Sequence, residues 1–412
     1  MNADTVNRIL GITESYKMPE ILSGHLFNCH KREKLFHEFM TEGESLDHDW
    51  FTEYFQTEHG DRKKLKQDYT PDCVCNITCH VSGITGTVGD ICSGTGGLTL
   101  KAWQMGAREF YCVEFSERVI PVLLMNLSIR NIKAIVVHGD ALEKKTFAAY
   151  KLTPGEKYSD IEIIENTDGI QDIKVDTIIM NPPYSMKWSG DRVFSGYETP
   201  PKSKCDYAFV LDGMERLKDG GTLTAILPHG VLFRGSREGK VREALCNEKA
   251  LDTIIGMPNK LFLNTDIPVA ILKWRKGSPV KNTLFIDADK QCKKDGKKNV
   301  MEQKHIEKVL SALNLRTNID KFSYVTDLNE ISKNDYNLNI PRYVDTYEPP
   351  PPIDIVKVTK ELYETEKQIR SLNHDIRIQV DKLTTDEEKR KEELNAVQNY
   401  WRKIDEVREL FI

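Results

Sequence analysis

The chain has 412 residues, of which 29% are charged and 39% hydrophobic, with a net charge of −5. That is an ordinary soluble composition, long enough for two or three domains, and it lacks the global positive field of a protein that grips nucleic acid unaided. No apolar run approaches a membrane span and the start lacks a signal-peptide core, so the expected location is the cytoplasm. Nine cysteines with no repeated framework fit a reducing compartment.

Residues 1–65 are polar and aromatic, with amphipathic stretches at Glu33 to Met40 and Trp50 to Glu58, and read as a helical preface. Arg62, Lys63, Lys64 and Lys66 form a short basic cluster, which is more often solvated surface than a phosphate contact. Gln67, Asp68, Tyr69, Thr70 and Pro71 are extended, because the residue before a proline is pushed out of helical space, and a helix follows after Pro71 and Asp72. Cys73, Cys75, Cys79 and His80 on that helix match no standard zinc spacing and read as core packing, so no metal is expected.

A strand ending at Asp90 then runs into a loop containing Gly94, Thr95, Gly96 and Gly97, and into a helical pattern from Leu98 to Met105. This strand, glycine loop and helix open a doubly wound nucleotide-binding fold. Without a P-loop lysine or the dinucleotide spacing, a ligand lacking phosphates suits the loop better. A second strand, Glu109 to Val113, ends at Glu114, placed to bind ribose hydroxyls; a third apolar run, Ala134 to Val137, leads to Asp140, whose carboxylate could accept an adenine amino N–H. The fourth, Val175 to Met180, is halted by two prolines in Asn181-Pro182-Pro183-Tyr184. The Asn181 amide and a proline carbonyl can accept two N–H bonds from an exocyclic amine, while Tyr184 offers a stacking face. Asp90, Glu114, Asp140 and Asn181 thus end four successive strands at the carboxyl edge of one sheet. S-adenosylmethionine is the cofactor this set fits best, with methyl transfer to an amine as the reaction. Methyl transfer to RNA bases or protein glutamine, and a scaffold without activity, are the competing readings.

Beyond these motifs, Gly221 to Arg234, Asp252 to Leu272 and Asp335 to Val344 extend a match that resembles the modification subunit of type I restriction-modification systems, over roughly residues 65 to 346. The resemblance implies a mostly parallel sheet of seven strands flanked by helices, in a methyltransferase domain over 66–348. It implies adenine-N6 methylation of DNA, with Gln67 to Asp72 lining the methionine end of the cofactor, Thr95 to Gly97 the loop and Glu114 the ribose. Departures fall at Lys66, Asp68, Ile91 and Ser93. No room remains between Ile271 and Tyr347 for a large target-reading domain, and the lysines from Lys290 to Lys298 read as an exposed hairpin tip. After the stiff Pro349 to Pro352, residues 353–412 carry a heptad stripe from Ile355 to Leu383 and a second helical pattern after Thr384 and Thr385. The two helices either pack as a hairpin or dock on a partner. The resemblance favours a specificity subunit there, with a second copy of the chain and a restriction subunit as further partners.

Overall fold

The computed structural model describes residues 3–42, 45–47, 49–51, 54, 69–263, 265–347, 353–383 and 387–409. Gln67, Asp68, the basic cluster from Arg62 to Lys66 and the prolines at 349–352 lie outside the described residues. The chain divides into two compact units, Met1–Thr346 and Tyr347–Ile412.

The first unit opens with helices α1 (Ala3–Leu10), α2 (Met18–Leu26) and α3 (Cys29–Glu42), followed after residue 69 by α4 (Asp72–Ser82). Then come β1 (Val88–Ile91), α5 (Gly97–Gln104), β2 (Glu109–Glu114), α6 (Ile120–Ile129), β3 (Lys133–Asp140), β4 (Lys145–Pro154), β5 (Ser159–Ile163) and β6 (Val175–Met180). The second half supplies α7 (Asp206–Arg216), β7 (Leu217–Pro228), α8 (Ser236–Asn247), β8 (Leu251–Gly256), β9 (Val269–Arg275) and β10 (Thr283–Asp287). It ends with a small hairpin, β11 (Lys293–Asp295) and β12 (Lys298–Val300), then α9 (Gln303–Leu315), β13 (Ser323–Thr326) and α10 (Leu328–Lys333).

The main sheet has eleven strands in the order β13-β10-β8-β9-β7-β6-β1-β2-β3-β4-β5, in which only β4, β9 and β13 run against the rest. The expectation of seven strands is therefore corrected. The seven from β3 across to β8 are present, but β4 and β5 add an antiparallel hairpin at one edge and β10 and β13 extend the other. The faces of β4, β5 and β13 are only partly buried, so these strands lack the continuous apolar runs that mark central strands.

The added hairpin carries the preface. Phe27 lies tilted against Tyr150 with ring centroids 5.7 Å apart and Phe36 meets Tyr158 edge-on at 5.0 Å, while the buried Arg32 pairs with Asp160 at 2.5 Å. Helix α6 lies between the sheet and α2, and all of its residues are buried, which accounts for an apolar sequence with no polar face.

Register positions the functional edge. Ile91 pairs with Val113 on one side and Met180 on the other, so Glu114 and Asn181 are the next residues outward on either flank of β1. Glu114 in turn pairs with His138, two residues before Asp140.

The second unit contains α11 (Ile355–Leu383) and α12 (Glu387–Glu409). The apolar heptad positions of α11 from Ile355 to Ile376 are exposed, Leu362 at 58% and Leu372 at 61%. No helix among the described residues is long and apolar enough to cross a membrane.

Candidate active site

A cavity of about 240 Å³ opens at the carboxyl edge of β1, β2, β3 and β6. Its wall includes Tyr69, Thr70, Gly94, Thr95, Gly97, Glu114, Asp140 and the whole of Asn181 to Tyr184. Residues separated by more than a hundred positions are therefore brought to one concave site.

The loop between β1 and α5 is bent by Gly94 at φ +56° and Gly96 at φ +99°. A Cβ at Gly94 would sit 3.3 Å from the Tyr69 ring, so the glycine also lets that ring lie against the loop. Glu114 is buried and its carboxylate accepts N–H bonds from Gly94 at 2.8 Å and Ser116 at 2.7 Å. Burial pushes its pKa up, and these backbone donors pull against the shift. Asp140 accepts from the N–H groups of Leu142 and Glu143 through Oδ1, at 2.9 and 3.0 Å, a local turn that leaves Oδ2 available to a ligand.

Asp90 departs from expectation. Its side chain is fully buried beneath the loop, where Oδ2 accepts from the Thr99 hydroxyl at 2.6 Å and the Thr99 N–H at 3.2 Å. It therefore braces the start of α5 instead of lining the cavity. Burial raises its pKa to about 7, against the opposing pull of the Thr99 bonds. Pro71 and Asp72 lie to one side, in an adjoining recess of about 310 Å³ that shares Tyr69, Thr70 and Gly97 with the main cavity. There Asp72 pairs with Lys101 at 2.8 Å.

Asn181 connects the two sides. Its amide Nδ2 donates to Thr70 Oγ1 at 2.9 Å, and its Oδ1 accepts from the Tyr184 hydroxyl at 2.7 Å. Tyr184 packs edge-on against Phe262, with ring centroids 6.2 Å apart. The side-chain amide is thus oriented by one partner from the segment before α4 and one from its own turn.

Several wall residues escaped the motif reading: Phe115, Leu142, Trp188 and Phe209 among them. Phe115 follows Glu114 directly and is half exposed, so an aromatic beside a strand-end acid was the available signal. Trp188 lies in the loop after Tyr184, with its indole N–H on the Pro201 carbonyl at 3.0 Å, and no spacing rule points to it. Cys75 and Cys79 are buried on α4, while His80 is exposed and bonds Asn76 O. Among the described residues no three His, Cys, Asp or Glu side chains are grouped as metal ligands.

Residues 48–349 match the model of the N-6 DNA Methylase family. The chain belongs to that family. Among its relatives, the MpnII type I restriction enzyme methylase subunit of Mycoplasma pneumoniae is 25% identical across 76% of this chain and 57% of its own length. The MjaVII methylase subunit of Methanocaldococcus jannaschii is 27% identical across 77% of this chain and 56% of its own. The chain therefore spans little more than half the length of these relatives. A crystal structure of a type I restriction-modification methyltransferase subunit from Streptococcus thermophilus is 32% identical, with a TM-score of 0.62, over 78% of this chain and 70% of that one. For an N-6 DNA methylase, the cavity lies where the fold class places ligands, outside the carboxyl ends of the strands.

Proposed function

We propose that the chain transfers a methyl group from S-adenosylmethionine to the N6 amine of adenine in DNA, as the modification subunit of an assembly whose target reader is a separate specificity subunit. The observation that carries this reading is the placement of Asn181, fixed between Thr70 and Tyr184, on the wall of the same cavity as Glu114, Gly94 and Asp140.

The residues present fit the cofactor. Thr95 Oγ1 lies on the cavity loop, buried and without a hydrogen-bond partner among the described residues, a donor and acceptor waiting for a polar ligand. Glu114 offers acceptors for a ribose diol, Asp140 Oδ2 an acceptor for an amino N–H, and Phe115 an apolar face. Tyr69, Thr70, Pro71 and Asp72 line the main cavity and its adjoining recess, where the amino-acid end would lie; Gln67 and Asp68, assigned to the same role, lie outside the described residues. When bound, S-adenosylmethionine supplies an activated methyl group on sulfur.

The chain's own contribution is to make a poor nucleophile competent. The adenine amine is delocalised into its ring, and accepting both its N–H bonds at Asn181 Oδ1 and the Pro182 carbonyl favours a pyramidal nitrogen with an available lone pair. The incoming amine takes Asn181 Oδ1 over from the Tyr184 hydroxyl. Extruding a base costs a few kcal/mol, partly offset by stacking on an aromatic ring, about 1 to 3 kcal/mol. Tyr184 supplies that ring. The proton shed by the alkylated amine passes to water.

The exposed stripe on α11 supports docking of the tail on the specificity subunit, and a chain acting on DNA in this way works in the cytoplasm, beside a second copy and a restriction subunit. The test is transfer of labelled methyl from S-adenosylmethionine to DNA by the purified chain, alone and with co-purified partners. Label on adenine N6 only with the partner supports the reading in full; label on RNA or protein and none on DNA overturns it.

A further inference from the structure

Immediately after Tyr184 the backbone turns sharply. Ser185 has a φ of +49°, a left-handed conformation that a non-glycine residue holds only when its surroundings impose it. Those surroundings are an ion pair between two distant elements. Asp206, the first residue of α7, is wholly buried and pairs with Arg234, which follows β7, at 3.0 Å. Both groups converge on Ser185. Asp206 Oδ1 accepts from the Ser185 N–H at 2.8 Å and Oδ2 from its hydroxyl at 3.2 Å, while Arg234 Nη2 donates back to the same hydroxyl at 3.0 Å. A hydroxyl that donates once and accepts once in this way has its rotamer fixed.

The preceding side of Tyr184 is held from the same place. The Cys205 thiol donates to the Pro183 carbonyl at 3.5 Å, and the Cys205 N–H to the Met186 carbonyl at 2.9 Å. Arg234 is itself anchored: it also bonds Glu238 at 3.2 Å, and its carbonyl accepts from Arg242 at 2.8 Å. Gly230 lies against it: a Cβ there would sit 2.4 Å from Arg234 Nε, so a larger residue displaces the guanidinium.

We infer that Arg234, acting with Asp206 through Ser185, is a positioning residue for Tyr184, coupling the end of β7 to the turn that presents the target base's stacking ring. The inference rests on the reading of Asn181 to Tyr184 as the target-base site. The guanidinium fork is what the arrangement requires. One arm neutralises Asp206 and the other orients Ser185, and a lysine ammonium keeps the charge but not the planar two-armed geometry. Neither Asp206 nor Arg234 is among the residues that line the cavity, so their reach to it runs through Ser185 and the turn.

The experiment places a fluorinated tyrosine at position 184 and compares fluorine NMR spectra of the full chain with those of Arg234→Lys and Ser185→Ala. A single narrow line in the parent and broadened or split lines in both variants is the expected result. Methyl transfer by the unlabelled proteins should fall about 10- to 100-fold in kcat, the scale of loss from a misplaced reacting group, while cofactor affinity holds. The double variant should be no slower than Arg234→Lys alone, because both changes break one bridge. Gly230→Ala, which leaves all three bridging groups chemically intact, should reproduce the spectral change and covers the case in which Arg234→Lys fails to fold. Identical line shapes in all proteins, additive losses, or loss of cofactor affinity in step with kcat would overturn the inference. A spectrum that responds in a chain that methylates no DNA even with its co-purified partners would sink the functional reading and leave the positioning role standing.

Discussion

At the ends of β1 and β2 the cavity wall is backbone folded around two buried acids, whereas at the end of β6 it is side chains held by other side chains from far along the chain. On the cofactor side, Glu114 is fixed by the N–H groups of Gly94 and Ser116, and Asp90 by Thr99. Each donor lies within about one strand-loop-helix unit of its acid. On the target side, Asn181 depends on Thr70, 111 residues away, and Ser185 on Arg234, 49 residues away. Local backbone can shape a site for a ligand that is always the same. Long-range side-chain pairs suit a turn whose local bond, from the Tyr184 hydroxyl to Asn181 Oδ1, must give way to an incoming amine, because they hold the amide and the backbone in place while that bond exchanges.

The sharpest way to break this comparison is Asn181→Ala. It removes the amide from the target side and touches nothing that holds Glu114. Methyl transfer should drop to background while cofactor affinity, followed by calorimetry, stays close to that of the parent. A parallel loss of cofactor binding would mean the two sides are one network. Asp90→Asn probes the other side, and its effect should be on stability. The folded pKa of Asp90, about 7, lies above the ordinary 3.8, so the protonated form favours folding. That contribution is complete below the ordinary value and is lost as pH rises through about 7. Asparagine mimics the protonated acid at every pH. The variant should therefore gain on the parent between about pH 4 and 7, by up to about 4 kcal/mol at 1.36 kcal/mol per unit, and the gap should then level off. Denaturant melts of both proteins across that range measure it, and a flat difference would show that Asp90 stays ionised.

How legible each side was follows from the same contrast. Glu114, Asp140 and the glycine loop could be read because a strand end followed by glycines is a local pattern with a local consequence, and Asn181 to Tyr184 because two prolines must stop a strand. What the motif could not carry was direction. Asp90 occupies the expected strand end, yet its carboxylate turns beneath the loop, since the helix start it braces is formed only when Thr99 folds back over it. Arg234 lay inside a stretch read for its resemblance, but nothing in its neighbours tells that it reaches Ser185. The eleven-stranded sheet escaped for another reason. β4 has partly exposed faces and mixes lysines with small residues, so its alternation is weak, and its partner β5 is short.

The smallest predicted effect separates two roles of a single group. Tyr184 presents a ring for stacking and a hydroxyl that occupies Asn181 Oδ1 at 2.7 Å, the acceptor an incoming amine requires. The hydroxyl therefore competes with the substrate, whereas the ring assists it. A neutral hydrogen bond of this kind contributes about 0.5 to 1.5 kcal/mol, equivalent to roughly a two- to tenfold change in binding. Tyr184→Phe keeps the ring and deletes the competitor, so KM for DNA should fall by a few-fold within that span, with kcat little changed. Steady-state methyl transfer on a defined duplex decides it. A KM that rises instead would mean that the hydroxyl serves to orient the amide. The target side would then resemble the cofactor side, prearranged before its ligand arrives.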